Sequence, residues 1–229
     1  MKNSGFLFLC LLLSGLAAAQ VKVVGVQAIF ATDREGRGMI TSAKDVEGSP
    51  FATEEWKPGN IIFSNGLKAQ DGALNFDLYS NKPAFRDGQN QMHFKDPVKQ
   101  ITYTVDLNGQ PTTYLFRNEY PPIGSQDRSF YYRVMEDGAN FHLLQLLEKT
   151  VAQEMVNIGT YKNKFVQKED WYLYDVKAAK LVKIPKSKKD LNGLAAELSP
   201  AFGNYLKETK SVNPKNPDEL IRMVQLMNQ

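Results

Sequence analysis

The residues in this chain that could do chemistry are few, and their spacing restricts them further. Cys10 is the only cysteine and lies in the leader described below, so the chain after it has no thiol nucleophile. His93 and His142 are the only histidines, and neither belongs to a His-Glu-x-x-His zinc motif. His93 and Asp96 stand three positions apart, a spacing that on a strand points two side chains to opposite faces. His93 therefore reads as a half-exposed histidine beside a turn aspartate, and His142, among apolar neighbours, as a hydrogen-bonded packing residue. No Gly-x-Ser-x-Gly elbow, Ser-x-x-Lys pair, phosphate-cradling glycine loop or calcium-loop spacing occurs. The motifs imply no cofactor and no metal.

Paired carboxylates hydrolyse glycosidic bonds without histidine or cysteine. The 25 acidic residues offer many pairs, and Glu54-Glu55-Trp56 joins two of them to an aromatic ring. The simpler reading of that triplet is a surface segment pinned by one tryptophan.

Two features could bind rather than react. Phe130, Tyr131 and Tyr132 form one aromatic cluster; Trp171, Tyr172 and Tyr174 form another. On strands Tyr172 and Tyr174 share a face, and Trp171 and Leu173 share the other, directed to the core. An exposed stripe with Tyr131, Tyr172 and Tyr174 would stack on sugars or grip an apolar ligand, whereas cross-strand packing is the weightier reading. The second feature is basic: Lys177, Lys180, Lys183, Lys186, Lys188 and Lys189 precede the next acid, Asp190. Lys180 and Lys183 are candidate contacts for an anionic lipid or glycan, although such lysines also keep an edge strand from pairing with another chain.

The elements that would position these residues follow from alternation and turns. From Asn60 to Arg117, short runs such as Leu74, Phe76 and Leu78 alternate with polar residues. Asn65-Gly66, Asp87-Gly88 and Asn108-Gly109 separate them, and both dipeptides tolerate the positive φ of a tight hairpin. This predicts an antiparallel meander. Val21–Phe30 is a weak first strand, and residues 118–127 form a loop. Residues 140–157 are ambiguous, because Phe141, Leu144, Leu147, Val151 and Met155 also fit helical spacing. A strand with a helical turn toward Met155 is the preferred reading. Trp171–Val176 and Lys180–Ile184 make a further hairpin. Ser187 caps a helix to Leu198, Pro200–Lys207 forms another, and Asn216-Pro217-Asp218-Glu219 starts a third with Leu220, Met223, Val224 and Met227 as its apolar face.

The leader spans residues 1–19. Lys2 supplies its charge, Phe6–Leu13 its apolar run, and Ala17 and Ala19 the small residues before a cut at Gln20. The run is about half of the ~20 residues that cross a bilayer. Leucines flank Cys10 on both sides, which does not fit a lipoprotein signal. Cleavage leaves 27 basic residues, 28 less Lys2, against 25 acidic ones, too small an excess to argue for nucleic acid.

Gly48-Ser49-Pro50-Phe51, the Trp56–Gly66 segment, Leu74-Asn75-Phe76-Asp77, Asp96-Pro97-Val98-Lys99, Trp171-Tyr172-Leu173-Tyr174 and Lys186–Leu191 resemble a group of small exported proteins of Bacteroidetes. The resemblance covers most of residues 48–229 and implies an exported address and an outline, with no activity or site. The expected fold is α+β, an antiparallel β-meander forming a curved sheet or partial barrel with short C-terminal helices. Residues 20–58 are expected to be an irregular segment, 59–184 the sheet and 185–229 the helical part. The expected role is non-enzymatic binding or an accessory function in the periplasm or cell envelope, with a glycan, lipid or protein as partner. A carrier of an apolar ligand and a hydrolase with paired carboxylates stand as alternatives.

Overall fold

The computed structural model describes residues 46–70, 72–198, 200–208 and 212–229. The leader expected at residues 1–19 and the strand expected at Val21–Phe30 lie outside the described residues.

Asn108-Gly109 shows how the local sequence sets the topology. Both residues have positive φ, 56° and 79°, and Leu107 pairs directly with Gln110 across them. Only a mirror-image turn has this geometry, and its twist matches the strands it joins. Repeated turns give β1 (Val46–Glu47), β2 (Gly59–Phe63), β3 (Lys68–Gln70), β4 (Ala73–Asp77), β5 (Lys82–Asp87) and β6 (Asn90–His93). They continue through β7 (Val98–Leu107), β8 (Gln110–Arg117), β9 (Tyr132–Asp137), β10 (Phe141–Asn157), β11 (Thr160–Asp175) and β12 (Lys180–Ile184). The helices α1 (Lys188–Leu198), α2 (Pro200–Glu208) and α3 (Pro217–Met227) end the chain.

The strands from β7 to β12 pair in sequence order as an antiparallel meander. β2 and β3 extend it beyond β7, and β1 joins β11 as the one parallel pair, completing nine strands. The sheet is open and does not close into a barrel. Strands β4, β5 and β6 form a separate three-stranded sheet, so the 59–184 region holds two sheets. Segment 48–58 is not wholly irregular, because Phe51 bridges Asp77 and Lys57 bridges Leu74 on the small sheet. Residues 140–157 are strand to Asn157, with a bulge after Met155 and no helical turn.

Directly paired residues share a sheet face. Ile101, Phe116, Arg133, Gln145, Trp171 and Ile184 therefore form one row across β7 to β12. At one end, Ile101 and Phe116 enter a core with Leu74, Phe76 and Phe85 of the small sheet. At the other, Trp171 and Ile184 enter a core with Leu220, Met223 and Val224 of α3. Each of these fully buried side chains is worth roughly 1.5–3 kcal/mol against exposure. Arg133 and Gln145 lie between the two cores.

The helices begin where the sequence places them. Ser187 Oγ accepts from Asp190 N at 3.1 Å, and Asn216 Oδ1 accepts from Asp218 N at 3.1 Å with Pro217 at the first helical position. Helix α3 is locked to the β9–β10 turn by Asn228. Its Oδ1 accepts from Asn140 N and Phe141 N at 3.0 and 2.8 Å, and its Nδ2 donates to Phe141 O at 3.0 Å. No described helix is long and apolar enough to cross a membrane.

Candidate functional site

The tyrosines singled out in the sequence are packed. Tyr172 is 2% exposed, and its hydroxyl donates to Gln126 Oε1 at 3.2 Å, an oxygen that Tyr132 also reaches at 3.3 Å. Tyr174 is half-buried, its ring 5.2 Å from that of Tyr120 and 5.3 Å from His142. Tyr131 is buried in the other core, its hydroxyl donating to Val98 O. Alternation assigns Tyr172 and Tyr174 to one face correctly, but Tyr120 and Ile123 of the 118–130 loop pack over that face. Trp171 and Leu173 face the core under α3.

The basic run is partly neutralised. Lys183 Nζ lies 2.7 Å and Lys186 Nζ 3.1 Å from the Asp170 carboxylate. Burial alone would raise the Asp170 pKa, but these two lysines outweigh it and hold the carboxyl below the usual range. Lys180 is exposed at the start of β12. Of the five candidates, Tyr172 and Lys183 pair directly across β11 and β12, with Lys183 Nζ 5.9 Å from the centre of the Tyr172 ring, while Tyr131 lies in the other core.

Each histidine belongs to a hydrogen-bonded cluster. Asp77 Oδ1 accepts from the backbone of Tyr79 and Ser80 at 2.9 and 3.1 Å; Oδ2 accepts from Ser80 Oγ at 2.6 Å and lies 3.0 Å from His93 Nε2. Serine, histidine and aspartate together suggest a triad, but the geometry is different. Ser80 Oγ is 3.3 Å from the same Nε2 that meets Asp77, whereas a relay needs opposite ring nitrogens. The cluster closes the turn between β4 and β5.

His142 uses both nitrogens. Nε2 lies 3.3 Å from Asp137 Oδ1 and Nδ1 lies 3.2 Å from the Tyr120 hydroxyl. Arg117 grips Asp137 with two bonds of 2.8 and 2.7 Å. That bidentate contact is the main reason the Asp137 carboxyl stays below its ordinary range. Burial raises the Tyr120 pKa to about 12, and the buried ring is closed off from any substrate. The chain of groups braces β8, β9 and β10.

Clefts among the described residues include two of similar size. One of about 310 Å³ lies between Phe51–Glu55 and Val105–Leu107, with Tyr114 and Lys149 in its walls. The other, about 300 Å³, runs past His93, Phe94, Asn118 and Phe130. Glu54, Glu55 and Asp106 line the first, but all three are exposed. Glu55 pairs with Lys57 at 2.6 Å, and Asp106 Oδ1 accepts from Gly109 N at 2.6 Å. A general acid for glycoside hydrolysis needs a desolvated carboxyl, which none of them provides. Lys149 Nζ donates to Ser49 O and Phe51 O at 2.8 and 2.6 Å, and burial lowers its pKa. Among the described residues no three His, Cys, Asp or Glu side chains are placed to hold a metal.

Among the described residues, exposed apolar side chains gather at the end of the β10–β11 hairpin. Past Thr150, neither β9 nor β12 flanks it; β1 pairs with β11 at Asn163 and Lys164, and only beyond that pairing does the hairpin continue as a two-stranded ribbon. Val151, Gln153 and Met155 pair with Phe165, Asn163 and Tyr161 on one face. The opposite face carries Ala152 and Glu154 against Lys164 and Lys162. Met155 is 59% exposed, Tyr161 55% and the turn residue Ile158 fully exposed. Tyr79, also exposed, sets its ring 5.6 Å from Phe165 at the base. The ribbon escapes sequence reading because Val151 and Met155 also satisfy helical spacing. Its local signal is Ile158 in a two-residue turn before Gly159.

The chain matches no family model, no curated protein and no solved structure.

Proposed function

We propose that this chain is an exported, non-enzymatic accessory protein of the cell envelope that binds an anionic lipid surface through the β10–β11 ribbon. The observation that carries the reading is the exposed apolar tip formed by Met155, Val156, Ile158 and Tyr161. Inserting a side chain such as Ile158 into the acyl boundary contributes roughly 1.5–3 kcal/mol. Lys162 stands directly behind the tip and is worth about 1 kcal/mol near an anionic surface, while Lys164 is paired with Glu154 at 2.5 Å. Area favours lipid over a flat protein partner. Eight residues per strand give a face roughly 25 Å by 10 Å, a third of the ~800 Å² that a stable complex buries per partner.

The leader and the resemblance to exported Bacteroidetes proteins support the address. Against a carrier role stand the two filled cores on the row's face; against hydrolysis stands the exposure of the cleft carboxylates. The test is co-sedimentation with vesicles of phosphatidylglycerol and phosphatidylethanolamine, with pure phosphatidylcholine as control. Binding to the anionic vesicles that Ile158→Asp weakens more than about ten-fold is expected. Equal recovery of the two proteins with the vesicles, or of neither, overturns the reading.

A further inference from the structure

Lys149 is held differently from the paired lysines of this chain. Lys99, Lys164 and Lys183 each meet a carboxylate, whereas Lys149 Nζ donates to two backbone carbonyls, Ser49 O at 2.8 Å and Phe51 O at 2.6 Å. Among the described residues no carboxylate lies within ion-pair distance of it, and Glu54 and Asp77 act on it only from farther away. The side chain is half-buried, and burial holds its pKa below the usual lysine value against the pull of those two acids.

An ammonium has three hydrogens, and two of them go to these carbonyls. The neutral amine keeps both bonds with its two remaining hydrogens and has its lone pair in the third tetrahedral position. The nitrogen is therefore fixed in either protonation state. Lys149 also lines the cleft of about 310 Å³, which is at the lower end of small-ligand pockets. Val105, Leu107 and Tyr114 give this cleft an apolar wall, and Glu54, Glu55 and Asp106 give it an acidic rim. A partly desolvated lysine fixed beside an apolar cleft is the arrangement that makes an amine nucleophilic at neutral pH.

We infer that Lys149 captures a small neutral aldehyde or ketone in this cleft as a reversible imine. The nitrogen lone pair adds to the carbonyl carbon, and the C–N bond forms as the π pair moves to oxygen, which takes up a proton. Loss of that oxygen as water leaves a C=N bond. Amine and carbonyl compound thus give imine and water, with no oxidant or reductant. Glu54, which has no ion pair among the described residues, is the cleft carboxylate that acts on Lys149, and it carries the proton from nitrogen to oxygen. The acidic rim repels anionic carbonyl compounds such as keto acids, which restricts the ligand to neutral ones. The cleft lies apart from the ribbon tip, and the inference does not rest on lipid binding.

The probe is hexanal, with cyanoborohydride to fix the imine as a stable secondary amine, applied briefly to the protein at pH 7. Peptide mass spectrometry then reads each lysine separately. Lys149 is expected to be alkylated about ten-fold faster than the exposed Lys180, a preference that should vanish in urea. Glyoxylate, an anionic aldehyde, should show no such preference. Glu54→Gln should slow Lys149 about three-fold and leave Lys180 unchanged. If Glu54 acted through its charge alone, its loss would lower the lysine pKa further and speed the reaction, which would overturn the role given to it. Both lysines are read in one folded protein, so misfolding cannot produce the expected preference. Alkylation of Lys149 no faster than that of Lys180 overturns the inference and leaves Lys149 as a staple between segment 49–51 and β10.

Discussion

Asp77 illustrates how single residues hold this fold. Burial alone would raise its pKa, but the bonds from His93 and Ser80 outweigh that and hold it below the usual range. A carboxyl with a depressed folded pKa contributes stability above its unfolded value of about 3.9 and loses it as the pH falls through the folded value. Asp137 and Asp170 act in the same direction. His142 adds an earlier step, because burial lowers its pKa against the pull of Asp137. From about pH 6.5 down to that lower value the unfolded chain binds the extra proton, so stability falls as the pH falls. Urea titrations should show one decline starting near pH 6.5 and a steeper one below about pH 4. His142→Gln should remove the first and keep the second. Asn228→Ala should cost roughly 2–4 kcal/mol by the same measurement, since it strips several partly buried backbone groups of their partners. The sequence reads His93 as a half-exposed histidine and His142 as a packing residue, and each is hydrogen-bonded within a cluster of side chains. It cannot show that Asp77 rather than Asp96 meets His93, because that contact forms across strands.

At the scale of elements, the close approach of β2 to β7 gives a sharp test. A Cβ on Gly59 would lie 2.1 Å from the carbonyl oxygen of Thr102, a backbone atom that can yield only if the strands part. Gly59→Ala should therefore destabilise by about 3 kcal/mol or more, measured by thermal melting against Gly193→Ala, where no atom stands in the way and φ is ordinary. The hairpins were legible because Asn-Gly and Asp-Gly turns carry their own geometry, and α3 because its cap, proline and apolar stripe agree. Strand β10 was ambiguous for a physical reason. Leu143, Leu144, Leu146 and Leu147 are all buried, so both faces are covered and no alternation survives. The tyrosine stripe failed as a surface for a related reason. The period of a strand shows which residues share a face, but not that the distant 118–130 loop will cover it.

The whole molecule divides its labour along one sheet. Its face is covered in two places, by the small sheet and by α3, and the polar pair Arg133 and Gln145 marks the seam. Farther along, β10 and β11 leave both covers behind and carry apolar side chains into solvent. This arrangement needs contacts between distant segments, so neither seam nor ribbon could be read from local pattern. Lys180, at the opposite end of the 16-residue β11 from Ile158, lies about 50 Å from the ribbon tip. The chain from Gln20 onward has no cysteine, so Ile158→Cys supplies a single point for an environment-sensitive fluorophore, and Lys180→Cys a matched control. On adding phosphatidylglycerol-containing vesicles, the label at 158 should shift to the blue and become shielded from an aqueous quencher, while the label at 180 stays unchanged. Equal responses at the two positions, or none at either, would contradict lipid binding through the ribbon.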